Sequence, residues 1–388
     1  MVHGAVISSA RIDSSEVMAL NIRKSITIFF AALCMVILIL DTRTGIAGAS
    51  AGIDICIKAL VPSLFPFFIL SILLTNALVG QSLRILRPIA KFCRIPAGSE
   101  SLLAIGFLGG YPVGVQNIAI ARGHGTLSKE DAERMVALCN NAGPAFIFGF
   151  LGPGFENALC PWILWITHIL SALLVGHILP GGNKGGIPVT KPHPISLSDA
   201  LDSGLRVMAR VCGWVILFRI VLEFLQKWFF FALPYWMQLM ITGLLELSNG
   251  CVMLQSLSSD GPKLALSSAF LGFGGLCVCL QSHSIANNIS MKLYIPGKIL
   301  HGTLSFLLSY WVQLCFLHDA SLWISPFVIS SAWLLLLLFS MVIRKFEKPV
   351  AFSVALLYNQ TSCETRQCSC FFEKRSQNPA PTAFMAQN

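Results

Sequence analysis

The stretch "GFLGGYPVGV" occupies residues 106–115 of a long apolar run and carries Gly106, Gly109, Gly110, Pro112 and Gly114. A continuous membrane helix tolerates one or two such residues, and five break it. The break belongs either to a loop between two spans or to the tip of a hairpin that enters and leaves on one side.

The 388 residues around it are 55% hydrophobic and only 12% charged. A soluble chain carries about a quarter charged residues. Several apolar runs approach or exceed the roughly 18 residues of a membrane span. Alternating ten-residue segments, the mark of a β-barrel, are not seen. The fold class is therefore all-α and polytopic, embedded in a lipid bilayer. The net charge of +9 is read as loop Lys and Arg on the cytoplasmic side, not as a nucleic-acid surface. Most of the 13 cysteines stand singly in apolar runs, where Cys acts as a small hydrophobe. Cys363, Cys368 and Cys370 in the tail lack the second ligand pair of a metal site, and no metal or cofactor is expected.

Candidate membrane segments are 26–40, 59–79, 98–121, 135–151, 161–179, 207–225, 234–256, 264–290, 299–317 and 323–343. They divide the chain into a cytoplasmic segment 1–24, a first membrane half 25–180, a Gly- and Pro-rich linker 181–204, a second half 205–344 and a polar, disordered cytoplasmic tail 345–388. Suppose that the N-terminus is cytoplasmic and that 98–121 enters and leaves on one side. Of the 27 Lys and Arg residues, only Arg43, Lys58, Lys227 and Lys263 then fall outside, with Arg219 in a span. A full crossing by 98–121 inverts every later loop, so the positive-inside bias favours a re-entrant hairpin. The same bias requires one non-crossing segment in the second half, either 234–256 or 264–290. Choosing 234–256 gives both halves the order span, hairpin, span, span in opposite orientation: about eight spanning helices, two re-entrant hairpins and an inverted repeat like that of secondary transporters. Against this choice, "GGYPVGVQ" (109–116) matches "GGLCVCLQ" (274–281), which pairs the first hairpin with 264–290.

Four motifs carry candidate solute contacts. At the first tip, Gly110, Tyr111 and Pro112 shape the break and Gln116 offers an amide; a tight, close-packed turn is the structural alternative. In "CNNAGPAF" (139–146), Asn140 and Asn141 are adjacent amides in an apolar segment, followed by Gly143 and Pro144. Two unpaired buried amides cost about 1–3 kcal/mol each, so they line an unwound, solute-facing helix or clamp two helices together. In "GLLELSNG" (243–250), Glu246 is an intramembrane carboxylate with Asn249 nearby. It faces a cavity, pairs with a cation or carries a coupling proton or sodium ion, or else makes a structural salt bridge. In "LQSHSIANN" (280–288), Gln281 and Ser282 line the cavity opposite Asn140, or sit at a solvated helix end. Arg219 and Glu223, four residues apart, are expected to satisfy each other. His168 and His301 read as hydrogen-bonded core residues. Ser128 caps a helix that starts on the cytoplasmic side. No P-loop, G-x-S-x-G or H-E-x-x-H pattern is present, so no enzyme activity is expected.

The runs "LVPSLFPFFILSILL" (60–74), "GFLGGYPVGV" (106–115) and "LSKEDAERMVALCNNAGPAFIFG" (127–149) resemble the YlbJ-type sporulation integral membrane proteins. That group lies within the broader nucleoside-recognition Gate domain group. The resemblance covers about residues 45–345. It implies two opposed re-entrant hairpins and two partly unwound helices around a central solute site. It also implies transport of a dipicolinate-like anion or heterocycle in endospore formation, in the outer membrane of the forespore. The alternatives are a nucleoside transporter and a non-transporting sporulation protein, an assembly partner or ligand sensor. Homo-oligomerisation is left open.

Overall fold

A computed structural model describes residues 14–78, 81, 83–123, 125–181, 195–286 and 288–316. The expected span 323–343, the tail with its cysteine cluster, most of the linker and residues 1–13 lie outside the described residues. Among the described residues every regular element is helical. Three helical stretches are long and apolar enough to cross a membrane: Thr42–Leu78, Cys160–Ile178 and Asp260–Ala286. Large apolar side chains such as Phe29, Leu40, Trp162, Ile166 and Leu217 are exposed, as befits surfaces that meet lipid rather than water.

The first helices are α1 (Ser14–Leu40), α2 (Thr42–Ile55) and α3 (Val61–Leu78), the last two joined by a π-helical turn at Cys56–Leu60. Helix α2 was absent from the sequence reading. Its "TGIAGASAG" run reads as a loop in water but forms a small-residue stripe in a membrane. Gly48 and Gly52 lie directly against Ile220 and Ile216 of α9 (Leu197–Trp228). Helix α3 packs on the same α9. Helix α9 begins at Ser196, whose hydroxyl accepts from Asp199 N at 3.1 Å. It also carries the expected Arg219–Glu223 pair at 2.8 Å.

After the short α4 (Arg87–Phe92) come α5 (Glu100–Leu108) and α6 (Val113–Gly123). A side-chain carbon at either Gly106 or Gly114 would collide with Cys139. Eight residues of straight helix span about 12 Å, so contact with one residue from both ends means that α5 and α6 fold back on each other. The same holds for α10 (Tyr235–Leu245) and α11 (Leu247–Gln255). The Tyr235 hydroxyl meets Met253 O at 3.1 Å and Ser256 Oγ at 2.7 Å, although 18 helical residues would span about 27 Å. Segment 234–256 is therefore a helical hairpin with Glu246 at its turn.

The segments after each hairpin are broken rather than folded back. Helix α7 (Lys129–Cys139) stops before 140–144, and a π-helical stretch continues at Ala145–Leu151. Helices α12 (Asp260–Phe273) and α13 (Gly275–Ala286) meet at Gly274 and Gly275, with φ of 86° and 77°. Only glycine adopts such angles freely. The "GGLCVCLQ" motif thus marks a kinked helix, not a second copy of the first tip. Each broken helix is followed by a long one, α8 (Cys160–Ile178) or α14 (Tyr294–Phe316), and α8, α12 and α14 pack together.

Two apolar clusters form the core. One gathers the first hairpin, α7, α13 and α14; the other gathers α3, the π-helical stretch, α11 and α12. Cys139 belongs to the first and Ala142 to the second. Asn140 and Asn141 therefore sit where the chain passes between them.

The expected helix start is seen, and one other expectation is corrected here. Helix α7 is capped by Ser128, whose hydroxyl accepts from Asp131 N at 3.0 Å; Lys129 and Glu130 in its first turn are exposed and the rest of it is largely buried. Asp131, Arg134 and Met135 through Cys139 are all buried. In addition, Arg134, Lys263 and Lys298 were counted as loop charges, yet all three are buried. Arg134 serves backbone carbonyls, and Lys263 bonds Gly154 O at 2.7 Å. They carry no information about which side of the membrane a loop occupies.

Candidate functional site

Both hairpin tips end against a broken helix. At the first, Gly110 has φ of 73° and its backbone lies on that of Gly143. A side chain on either glycine would separate the two chains. Pro144 explains why Gly143 lies outside a helix: it lacks an N–H and biases the preceding residue away from helical angles. Tyr111, next to Gly110, reaches across to α12, where its hydroxyl donates to Leu271 O. At the second tip, a side-chain carbon on Gly275 would lie 3.2 Å from Leu247 N, and one on Gly274 would lie 3.6 Å from the Tyr111 hydroxyl. Tyr111 thus links the first tip to the second break.

The unwound residues after α7 carry a buried polar cluster. Asn140 Nδ2 donates to Ser282 Oγ at 2.7 Å and to Tyr294 OH at 2.8 Å. Asn141 Nδ2 returns to Leu138 O at 2.6 Å. Lys298 Nζ reaches Asn140 O at 2.9 Å, His301 Nδ1 at 3.1 Å and Asn141 Oδ1 at 3.4 Å. It also lies 5.5 Å from the centre of the Tyr111 ring. His301 Nε2 bonds His168 O at 2.9 Å, and His168 Nε2 accepts from Ala142 N at 3.1 Å. The freed backbone of 140–142 is therefore served by side chains of α8 and α14, as an unwound segment in a membrane requires. Three buried polar atoms around this junction lack a hydrogen-bond partner: Asn140 Oδ1, His168 Nδ1 and Gln281 Nε2.

The structure brings Gly110, Tyr111, Asn140, Asn141, Gly143 and Ser282 to this junction. Glu246 and Asn249 form a separate cluster at the second tip. There the Glu246 carboxylate accepts from Ser248 N at 3.0 Å, Asn249 N at 2.6 Å and Asn249 Nδ2 at 2.6 Å, capping its own helix α11. Pro112 is buried in the first turn, and Gln116, half-buried, lies farther along α6. Gln281 and Ser282 are buried rather than solvated. Lys298, His301, His168 and Tyr294 were missed as site residues. A Lys and a His three residues apart in the apolar run of α14 are the sequence signal for the first two, hidden because Lys298 was assigned to a loop.

The cap geometry makes a prediction. Glu246→Ala leaves the first N–H groups of α11 unmade, at a cost of about 1–2 kcal/mol. Glu246→Gln keeps one acceptor oxygen and is expected to lose roughly half as much. Thermal unfolding of the purified variants in detergent gives the order; equal midpoints for the alanine variant and the parent contradict the capping role.

A curated relative matches at 26% identity over 350 residues, covering 76% of this chain and 85% of the relative: the sporulation integral membrane protein YlbJ of Bacillus subtilis (strain 168). The chain is similar to this YlbJ-type membrane protein over about three quarters of its length. No family model and no solved structure matches it.

Proposed function

We propose that this protein is a YlbJ-type secondary permease for a small anionic or heterocyclic solute, dipicolinate-like, acting in endospore formation in the outer membrane of the forespore. One observation carries the reading: two helical hairpins end against two broken helices, beside a buried polar junction of the first break. Backbone that has left its helix is tolerated at membrane depth where it lines a cavity or is served by protein groups, and transporters place their solute at such breaks. The chain order supports it. Helix α3, a hairpin, a broken helix and α8 are followed by α9, a hairpin, a broken helix and α14. In this reading the two sets are inverted repeats, the hairpins are re-entrant, and their tips gate the junction alternately from the two sides. The chain acts as a carrier, not a catalyst.

The test is uptake into proteoliposomes. The wild type is expected to accumulate dipicolinate above protein-free vesicles, with nucleosides as the comparison solutes. Asn140→Ala removes the amide that joins α7 to Ser282 and Tyr294. It is expected to cut uptake at least about tenfold, equivalent to about 1.4 kcal/mol of lost solute stabilisation, while eluting as the same folded species. Wild-type vesicles that take up neither solute class would sink the permease reading and leave a non-transporting role.

A further inference from the structure

The Lys298 ammonium is fully buried. None of the ion pairs among the described residues includes it. A buried cation without a counter-ion is costly. The hydrogen bonds around it define how many protons the cluster holds. His168 O can only accept, so His301 carries hydrogen on Nε2, and neutral His301 presents a lone pair on Nδ1 to Lys298. The ammonium has three N–H donors and meets three acceptors: Asn140 O, His301 Nδ1 and Asn141 Oδ1. Shifting the proton onto His301 Nδ1 reverses one hydrogen bond and keeps every partner. Removing it leaves three acceptors for two donors. Adding a second sets N–H against N–H. The pair therefore holds one proton and one positive charge.

The groups around it do not supply a negative partner. His168 of α8, Tyr111 at the hairpin tip and Cys279 of α13 face Lys298. On α7, Arg134 is turned to backbone carbonyls. On α12, Asp260 and Lys263 pair with each other at 3.4 Å, beside the loop at Gly154. His168 adds to the demand for an acceptor. Its Nε2 accepts from Ala142 N, so its neutral form carries hydrogen on Nδ1, which is buried without a partner.

We propose that Lys298 and His301 form a site that takes a carboxylate of the solute together with one proton, so that one proton travels with each solute molecule. The proposal rests on the permease reading. The carboxylate displaces the longest contact, Asn141 Oδ1 at 3.4 Å. Its charge compensates the ammonium. The proton comes from hydronium on the loading side, where an O–H bond breaks as the N–H bond forms, and on the release side the N–H bond breaks as water takes the proton back. The charged arrangement described above is the one ready to load a carboxylate; once the carboxylate has left on the release side the buried charge is uncompensated again, and water there takes the proton.

Proteoliposomes with the membrane potential clamped at zero test this. A one-unit pH gradient, acid outside, is expected to drive about tenfold accumulation of dipicolinate, with acidification of an internal pH dye; a sodium gradient is expected to drive none. Lys298→Met is expected to abolish uptake. His301→Gln keeps a hydrogen-bond acceptor and donor but has no imidazole to receive the proton. It is expected to exchange dipicolinate across the membrane while losing accumulation against the pH gradient. Wild-type exchange that ignores pH, or unchanged pH-driven uptake in His301→Gln, overturns this proposal and leaves the permease reading standing. Absence of dipicolinate exchange by the wild type overturns both.

Discussion

Gly114→Ala is expected to destabilise the folded protein strongly, and Gly114→Val to prevent its accumulation. A side-chain carbon on Gly114 overlaps the Cys139 carbonyl oxygen, lies 2.9 Å from the carbonyl carbon and 3.0 Å from Asn140 Cα. The obstacle is backbone, and α7 is buried along this face, so neither partner has room to retreat. Overpacking of this kind costs about 1–3 kcal/mol and sometimes more, against total stabilities of roughly 5–15 kcal/mol. Gly123, in the same helix, is the control. Nothing lies within 4 Å of a carbon built there, and Gly to Ala inside a helix gains about 0.5–1 kcal/mol. Thermal unfolding in detergent should therefore move in opposite directions for Gly114→Ala and Gly123→Ala. A Gly114→Ala midpoint at or above the wild type would show that the first hairpin does not sit against α7 as described.

Arg134→Met is expected to be the most damaging single side-chain change outside the glycines. The guanidinium is buried and donates to Leu179 O at 3.2 Å, Arg94 O at 2.9 Å, Cys93 O and Gly176 O. These carbonyls end α4 and α8, where a helix leaves its last acceptors unsatisfied and a cation is favoured. Methionine fills much of the volume and satisfies none of them. Leaving several buried carbonyls unmade costs on the order of 3–5 kcal/mol together. Lysine keeps the charge without the planar fork and is expected to recover only part of the loss. The yield of monodisperse protein and its unfolding midpoint give the order wild type, Arg134→Lys, Arg134→Met. A lysine variant equal to the wild type would mean that charge alone is needed there.

Much of the first half was legible because its signals are local. Gly106 through Gly114 forbid a continuous helix by backbone chemistry alone, and Pro144 after Gly143 removes a helical donor where the chain unwinds. The adjacent Asn140 and Asn141 announce a buried need for partners. Glu246 was legible as an unusual residue but not as a cap, because its partners lie two and three residues on, in a turn whose shape is set by the rest of the hairpin. Helix α2 was illegible for the opposite reason. Its glycines carry no helical signal until Ile216 and Ile220 lie against them.

What the sequence determined by itself is the class, an all-α membrane protein, together with the places where its helices must break. Apolar composition and the conformational limits of Gly and Pro act on each segment regardless of its neighbours. Only the tertiary structure decided that Lys298 is a buried charge and not a loop charge, and that it meets Asn140, Asn141, His301 and, through His301, His168. Lys298 and Asn140 lie 158 positions apart in the chain. A lysine one turn inside an amphipathic helix end looks the same whether it reaches water or the interior. Its surroundings are fixed by how α7, α8 and α14 pack, and no spacing along the chain encodes that packing.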